Sequence, residues 1–501
     1  MVARHVLAID QGTSGATAVM VDGEGRVVSR AYREIRQFFP RPGWVEHDPE
    51  ELYRSVIETG RQAISRAHVS PKDVAALGLA NQRETFVVWE RASGRPVCRA
   101  IVWQCRRSDG ICRALRPREP LIARHTGLLA DPYFSGTKLK WLLDSDTALR
   151  RRARRGELLF GTIDSWLIFR LSRGGAFVTD FTNASRTLLF NIERMNWDDT
   201  MLKMFGIPRE MMPQVVASRG PIIDTAAGSL SAHAIPVGCI IGDQQAALYG
   251  QGAVRPGNVK VTYGTGAFLL MHTGAKRVHS RHRLIATVAL DASGEPAYAL
   301  EGSVFIAGAA LQWLRDEIGV LAKASDSLKL ARESRGLGQL YLIPAFVGLG
   351  APYWDSEARG ALLGITRGTN RADLVRAALE SIAYQVADVM RALERDTGRR
   401  VRELRVDGGA AANDYLMQFQ ADILGRPISR PVVIEATAHG AAMLAGLAVG
   451  LWKSPRELEQ MRKTERIFRP AMKPAMRERL LSGWREAVSR VLTGKNGRQA
   501  K

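Results

Sequence analysis

The chain has 501 residues, 46% of them apolar, and carries 71 Lys and Arg against 50 Asp and Glu for a net charge of +21. Single cores stop growing at about 250 to 300 residues, so this length predicts two large domains. The composition excludes a disordered chain, a collagen-like repeat and a small disulfide-stapled fold, and leaves an ordinary globular protein with an excess of base.

The first fifty residues alternate with a period of two, broken by glycine turns. Val6 to Ile9 reads as a strand, Asp10-Gln11-Gly12-Thr13-Ser14-Gly15 as a turn, Ala16 to Val21 as a second strand and Asp22-Gly23-Glu24-Gly25 as the next turn. Asp48-Pro49-Glu50-Glu51 then opens a helix that should run to about His68, with Asp48 as N-cap, Pro49 in the first turn and Glu51 placed to close a capping box.

Only 13 of the 71 basic residues are Lys, and the Arg is scattered along the chain. Nucleic-acid and membrane binders concentrate such charge in a tail or stripe, so neither is the expected partner. The densest run, Arg150 to Arg155, reads as a solvated helix face or loop. Cys98, Cys105, Cys112 and Cys239 lack zinc or redox spacing and predict free thiols in a reducing, cytoplasmic compartment. Val6 to Ile9 is too short for an export signal, and Ala436 to Trp452 falls short of the ~20 residues that a membrane span needs.

Near the middle the opening grammar returns. Asn258 to Thr262 reads as a strand, Tyr263-Gly264-Thr265-Gly266 as a tight turn and Ala267 to Met271 as the returning strand. Leu404 to Val406 then runs into Asp407-Gly408-Gly409 and a helix opening at about Asn413. Two related α/β domains facing each other across a cleft are expected, with a boundary near residue 250 and Gly250 to Gly257 as the hinge.

Turns that expose several backbone N–H groups make anion-binding concavities, and hydroxyl side chains add donors for phosphate oxygens. Asp10 to Ser14 and Gly264 to Gly266 meet that need from the two halves, and with Asp407-Gly408-Gly409 they predict a clamp on a polyphosphate. The chain has no Gly-x-x-x-x-Gly-Lys-Ser/Thr loop and no protein-kinase glycine loop set, so phosphoryl chemistry here needs another scaffold.

Several longer runs carry a resemblance. They are Pro42 to Pro49 (PGWVEHDP), Asn81 to Thr85 (NQRET), Ile101 to Arg107 (IVWQCRR), Asp131 to Lys138 (DPYFSGTK), Gly242 to Ala247 (GDQQAA) and Gly348 to Asp355 (GLGAPYWD). In these runs and their order, from about residue 5 to 470, the chain resembles the glycerol kinases, carbohydrate kinases built on the two-lobed ATPase fold of actin and hexokinase. The resemblance implies two ribonuclease H-like domains. Residues 1–250 would hold the polyol site and first phosphate loop, and 251–501 the second phosphate loop and adenosine site.

It further implies ATP-dependent phosphorylation of glycerol to sn-glycerol 3-phosphate, the first step of glycerol catabolism, in a homodimer or homotetramer. Arg83, Glu84, Tyr133 and Gln244 would grip the hydroxyls, Trp103 and Phe268 would wall the carbon face, and Asp243 would accept the proton of the attacking hydroxyl. Thr13, Ser14, Gly15 and Thr265 would meet the phosphates, with Gly308, Gln312, Gly409 and Asn413 around the rest of the nucleotide. Asp10 would position Mg²⁺, bound mainly through waters and ATP oxygens.

Two positions depart from the family's pattern. After Thr13-Ser14 it continues with Ser or Thr and then an Arg, where this chain has Gly15-Ala16-Thr17. One hydroxyl and one cation toward the nucleotide are thereby missing. Ser231 to Pro236 lacks the Arg with which some bacterial relatives bind a sugar bisphosphate, so that feedback is not expected and His233 reads as a surface residue. The alternatives are a kinase for another small polyol or ketose, a non-catalytic ATP-binding switch on the same fold, and, from charge alone, a nucleic-acid binder.

Overall fold

The computed structural model describes residues 5–335, 340–433 and 435–493. Two mixed sheets organise the chain. The first contains β1 (His5–Gln11), β2 (Gly15–Val21), β3 (Val27–Glu34), β4 (Val74–Asn81), β5 (Arg219–Asp224) and β6 (Pro236–Gly242), in the order β5-β6-β4-β1-β2-β3. β1 to β3 form an antiparallel meander, and β4 and β6 add parallel to β1 on its other side. Helix α1 (Pro49–Arg66) makes the crossover from the meander to β4, the connection that parallel strands require.

The second sheet repeats this plan. β7 (Val259–Tyr263), β8 (Ala267–Gly274) and β10 (Pro296–Val304) are its three antiparallel neighbours, and β11 (Leu404–Asp407) and β12 (Ile428–Pro431) continue it in parallel from β7. β9 (Ile285–Leu290) and β13 (Thr464–Phe468) close the two edges, and the order is β9-β10-β8-β7-β11-β12-β13. The two related α/β domains expected from the sequence are these two sheets, each opened by a glycine-bearing hairpin.

α1 ends at Arg66, two residues short of expectation, and Asp48 caps it by accepting from Glu50 N at 2.9 Å. The capping box does not form. Glu51 instead accepts Arg36 N at 3.1 Å, because the chain leaving β3 brings an unpaired amide past it. Arg150 to Arg155 lies on the short helix Thr147–Arg154, where Arg152 and Arg155 meet Glu157 at the surface. His233 is exposed, and all four cysteines are free thiols.

Helix α2 (Asp243–Gly250) leaves β6, and helix α6 (Ala436–Ala448) crosses it. Although α6 comes from the second half of the chain, it packs on β4, β6 and β1 of the first sheet. A Cβ on Gly440 would lie 2.0 Å from Ala246 O, and one on Gly250 would lie 2.3 Å from Ala436 O. Glycine is what lets the two backbones approach so closely. The apolar run around residue 440 is therefore an internal helix, and among the described residues no helix is long and apolar enough to cross a membrane.

Candidate active site

The site grows from the sheet ends. In the first hairpin, Gly12 N–H donates to Gly15 O at 2.9 Å and closes the turn that presents Thr13 and Ser14. In the second, Gly264 N–H donates to Gly266 O at 2.8 Å and presents Thr265. Helix α3 (Gly308–Asp316) starts directly on that turn, with Gly308 N–H donating to Gly264 O at 3.0 Å and Ala307 N–H to Thr265 O at 2.8 Å. A Cβ on Gly308 would meet Gly264 O at 2.6 Å, so the contact requires glycine.

Gly408 has φ +86° and leans on Tyr263, which places the Gly408-Gly409 turn beside the same hairpin, with open space around Gly409. Asn413 caps α5 (Asp414–Leu424), which follows the long helix α4 (Arg371–Thr397), by accepting Leu416 N at 3.0 Å, and its amide donates to Ser327 Oγ at 3.0 Å. Both ends of that side chain are engaged.

A cavity of about 970 Å³ lies between the hairpins. Thr13 and Ser14 line it from one side, Thr265 and Gln312 from the other, with Arg83, Glu84, Trp103, Tyr133, Asp243, Gln244 and Phe268 between them. Trp103 stands edge-on to Tyr133 and Phe268, with ring centroids 5.6 and 6.0 Å away, and its indole N–H donates to Thr13 Oγ1 at 2.8 Å. Three aromatic rings thus make an apolar wall that is tied to the first hairpin turn. Asp10, Gly15, Gly308, Gly409 and Asn413 lie outside the cavity lining. Gly15 sits beneath Tyr32, where a Cβ would come within 2.4 Å of Arg33 O and 2.7 Å of the Tyr32 ring.

Under the wall lies a buried ionic cluster. Glu301, on β10, accepts from Arg83 Nη1 at 2.6 Å and Nη2 at 3.0 Å, and from Arg186 Nη2 at 2.9 Å. Arg186 Nε donates to Glu84 Oε1 at 2.6 Å, and Arg83 Nε lies 3.1 Å from Asp243 Oδ1. Burial opposes the charge on Glu301, but Arg186 and Arg83 hold its carboxyl down to about 2. Burial pushes Glu84 upward, partly opposed by Arg186 and Arg83.

Glu84 is also held at φ +60°, a left-handed backbone unusual outside glycine, and Ser135 Oγ donates to its carbonyl at 2.8 Å. Strain of this kind persists only where the surroundings over-determine it, and it concentrates at functional sites.

Asp243 is the first residue of α2, and its Oδ1 accepts Gln244 N at 2.6 Å as well as facing Arg83. Among the described residues the hydrogen bonds and ion pairs of Asp243 engage Oδ1 alone, and Oδ2 is free to accept. Buried Lys260 donates to Gln244 Oε1 and to Thr262 Oγ1, and burial brings its ammonium down to about 8. Asp10 lies one residue before the end of β1, close enough to Asp243 to feel its charge. Burial, and then the charge of Asp243, raise its carboxyl to about 7, and its buried Oδ1 has no hydrogen-bond partner. A lone buried carboxylate oxygen next to a second carboxylate fits a hydrated divalent cation, which takes few protein ligands.

Glu301, Arg186 and Lys260 were not found from the sequence. Glu301 and Lys260 are each a charge in an otherwise apolar strand (PAYALEGSV and VKVTY). That placement demands a buried partner but does not say which.

Two domain comparisons cover most of the chain: the N-terminal domain of the FGGY family of carbohydrate kinases matches residues 5–250, and its C-terminal domain matches residues 259–449. The chain is 52% identical over 491 residues to glycerol kinase 2 of Thermotoga maritima, covering 98% of this chain and 99% of that one. It is 53% identical over 490 residues to glycerol kinase 2 of Pseudomonas aeruginosa, covering 97% of each. The structure superposes on the crystal structure of Plasmodium falciparum glycerol kinase with ADP at a TM-score of 0.89, with 34% identity and 98% of both chains covered. The fold of a xylulose kinase from Lactobacillus acidophilus matches at a TM-score of 0.85 with 23% identity. With two repeated sheets, a cleft between their hairpins and these likenesses along nearly its whole length, the chain belongs to the FGGY family of carbohydrate kinases.

Proposed function

We propose that this protein transfers the γ-phosphoryl group of ATP to a terminal hydroxyl of glycerol, giving sn-glycerol 3-phosphate and ADP. The observation that carries the reading is the convergence in one cavity of Asp243, the Arg83-Glu84 pair, the Trp103-Phe268 wall and both hairpin turns. Full-length identity to glycerol kinases supports glycerol over larger polyols.

In this reading Arg83 donates to one hydroxyl of glycerol and Glu84 accepts from another, while Trp103, Tyr133 and Phe268 cover the carbon chain. Asp243 Oδ2 accepts the proton of the attacking hydroxyl as its oxygen meets the γ-phosphorus in line, and the bond to the leaving ADP oxygen breaks. Backbone amides and hydroxyls at Thr13, Ser14 and Thr265 receive the phosphate oxygens from opposite sides. Asp10 would hold Mg²⁺, which neutralises charge on the phosphates when bound. Approach of the two lobes excludes water, which would otherwise compete as the acceptor.

The test is ADP release from purified protein over a panel of glycerol, erythritol, xylulose and gluconate. Glycerol is expected to give the highest kcat/KM, and Asp243→Asn to lower kcat by about 10²-fold to 10⁴-fold, the range for a lost general base. No glycerol-dependent ADP release, or undiminished turnover in Asp243→Asn, would overturn the reading.

A further inference from the structure

A second cavity, of about 370 Å³, lies at the far end of the helix that carries Asp243. α2 has eight residues and is ~12 Å long, and Tyr249 and Gly250 at its C-terminus line this cavity. Arg255, Arg405 and Arg462 reach its wall, and Glu459 is the one acid there. Glu459 is already committed to Arg255, with contacts of 2.8 and 3.1 Å.

Arg405 and Arg462 have no carboxylate within ion-pair distance among the described residues. Both are anchored on buried Gln251. Arg405 Nη1 donates to its carbonyl at 2.7 Å, and Arg462 Nη2 donates to its Oε1 at 3.3 Å and to Ser429 Oγ at 3.0 Å. Arg462 Nε is buried without a partner. The two guanidiniums press on each other, since the charge of Arg405 joins burial in lowering that of Arg462 to about 10. Glu403 acts on both arginines, and Glu459 on Arg405 against the like charge of Arg255, only through space.

A pair of like charges, half-buried at a cavity and fixed by neutral acceptors, is an arrangement that a bound anion would stabilise. A phosphate monoester carries close to two negative charges at neutral pH, which matches two cations that no described carboxylate contacts. Guanidinium forks suit its tetrahedral oxygens. Val254, Met443 and Leu458 on the same wall offer apolar surface to a carbon body. We propose that this cavity binds a small phosphate monoester, its head between Arg405 and Arg462 and its carbon body against Val254, Met443 and Leu458. Gln251 also donates to Asp407 Oδ2 at 3.0 Å, which fixes the residue on which both guanidiniums rest.

The proposal stands apart from the identity of the polyol, and its test reads binding. Inorganic phosphate is titrated calorimetrically into the full chain, the Arg405→Gln/Arg462→Gln double variant and the Arg255→Glu variant, at ionic strength held constant with chloride. The double variant is expected to lose about tenfold or more in phosphate affinity while glycerol-dependent ADP release stays within about twofold. Arg255 is exposed, so its reversal leaves the core intact, and a loss of about threefold there decides the matter even if the double variant misfolds. Phosphate taken up in the catalytic cleft is unaffected by any of these substitutions. Equal phosphate binding in native and variant chains, or a site that takes citrate more tightly than phosphate, would overturn the proposal.

Discussion

Glu301 of the second sheet holds Arg83 of the first by two parallel contacts of 2.6 and 3.0 Å, and the third nitrogen of the same guanidinium lies 3.1 Å from Asp243. One buried acid thus sets the plane of a side chain that faces the cleft, across the boundary between the two halves of the chain. The relationship makes Glu301 a positioning residue, since it reaches the substrate only through Arg83.

Glu301→Gln keeps the shape but removes the charge. The expected result is a KM for glycerol raised by about tenfold to a hundredfold, the loss of one or two charge-assisted bonds, with the KM for ATP little changed. Glu301→Ala should lose more, and its unfolding free energy should fall by about 3 to 5 kcal/mol because Arg83 and Arg186 are left buried without their acid. Equal increases in both KM values would show a merely structural role.

Thr17 lies directly across from Asp10 in the β1–β2 ladder, so their side chains share a face. Restoring the cation at this position with Thr17→Arg should place a guanidinium near the phosphates and lower the KM for ATP about threefold to tenfold, leaving the KM for glycerol unchanged. Steady-state kinetics decide it. Gly15→Ser, by contrast, should destabilise the fold, because its Cβ has no room beside Arg33 O and Tyr32.

His47 gives the protein an acid sensitivity. It is buried, its Nδ1 is 3.5 Å from Gln82 Nε2, and its Nε2 has no partner among the described residues. Burial pushes its pKa from the ordinary value near 6.5 down to about 4. Between those values the unfolded chain binds more protons than the folded one, so stability falls as pH drops from about 6.5 toward 4, by up to about 3 kcal/mol from this group. Denaturant titrations at pH 7 and pH 5 should show the loss, and His47→Gln should flatten it. An unchanged acid slope in that variant would refute the assignment.

The α2–α6 crossing offers a test of how packing reaches the chemistry. Gly440→Ala would drive a methyl group into the carbonyl of Ala246, and overpacking of this kind costs about 1 to 3 kcal/mol. Because α2 begins at Asp243, kcat should fall together with the unfolding free energy. A stability loss with intact kcat would mean that the helix absorbs the shift beyond Gln244.

Much of this architecture was legible in the sequence. Glycine turns between alternating strands located the first hairpin turn to within two residues and the second to within one, because a turn that needs special backbone angles and a sheet with one buried face leave local marks. The resemblance carried by the longer runs implies a shared pocket for Arg83, Glu84, Trp103, Tyr133, Asp243 and Phe268, and the structure puts them in one cavity. Local pattern failed where a neighbour from elsewhere intervened, as at Glu51, which takes the amide of Arg36 in place of its own N-cap.

What the tertiary structure alone decided is how charges distant in sequence are paired. Glu301 lies 218 residues from Arg83 and 115 from Arg186, and nothing near any of them names its partner. The return of α6 onto the first sheet and the two arginines gathered on Gln251 at the far end of α2 were hidden for the same reason. Hydrophobic periodicity and turn chemistry act over a few residues and are written locally, whereas the partner of a buried ion is chosen by the packing of whole sheets.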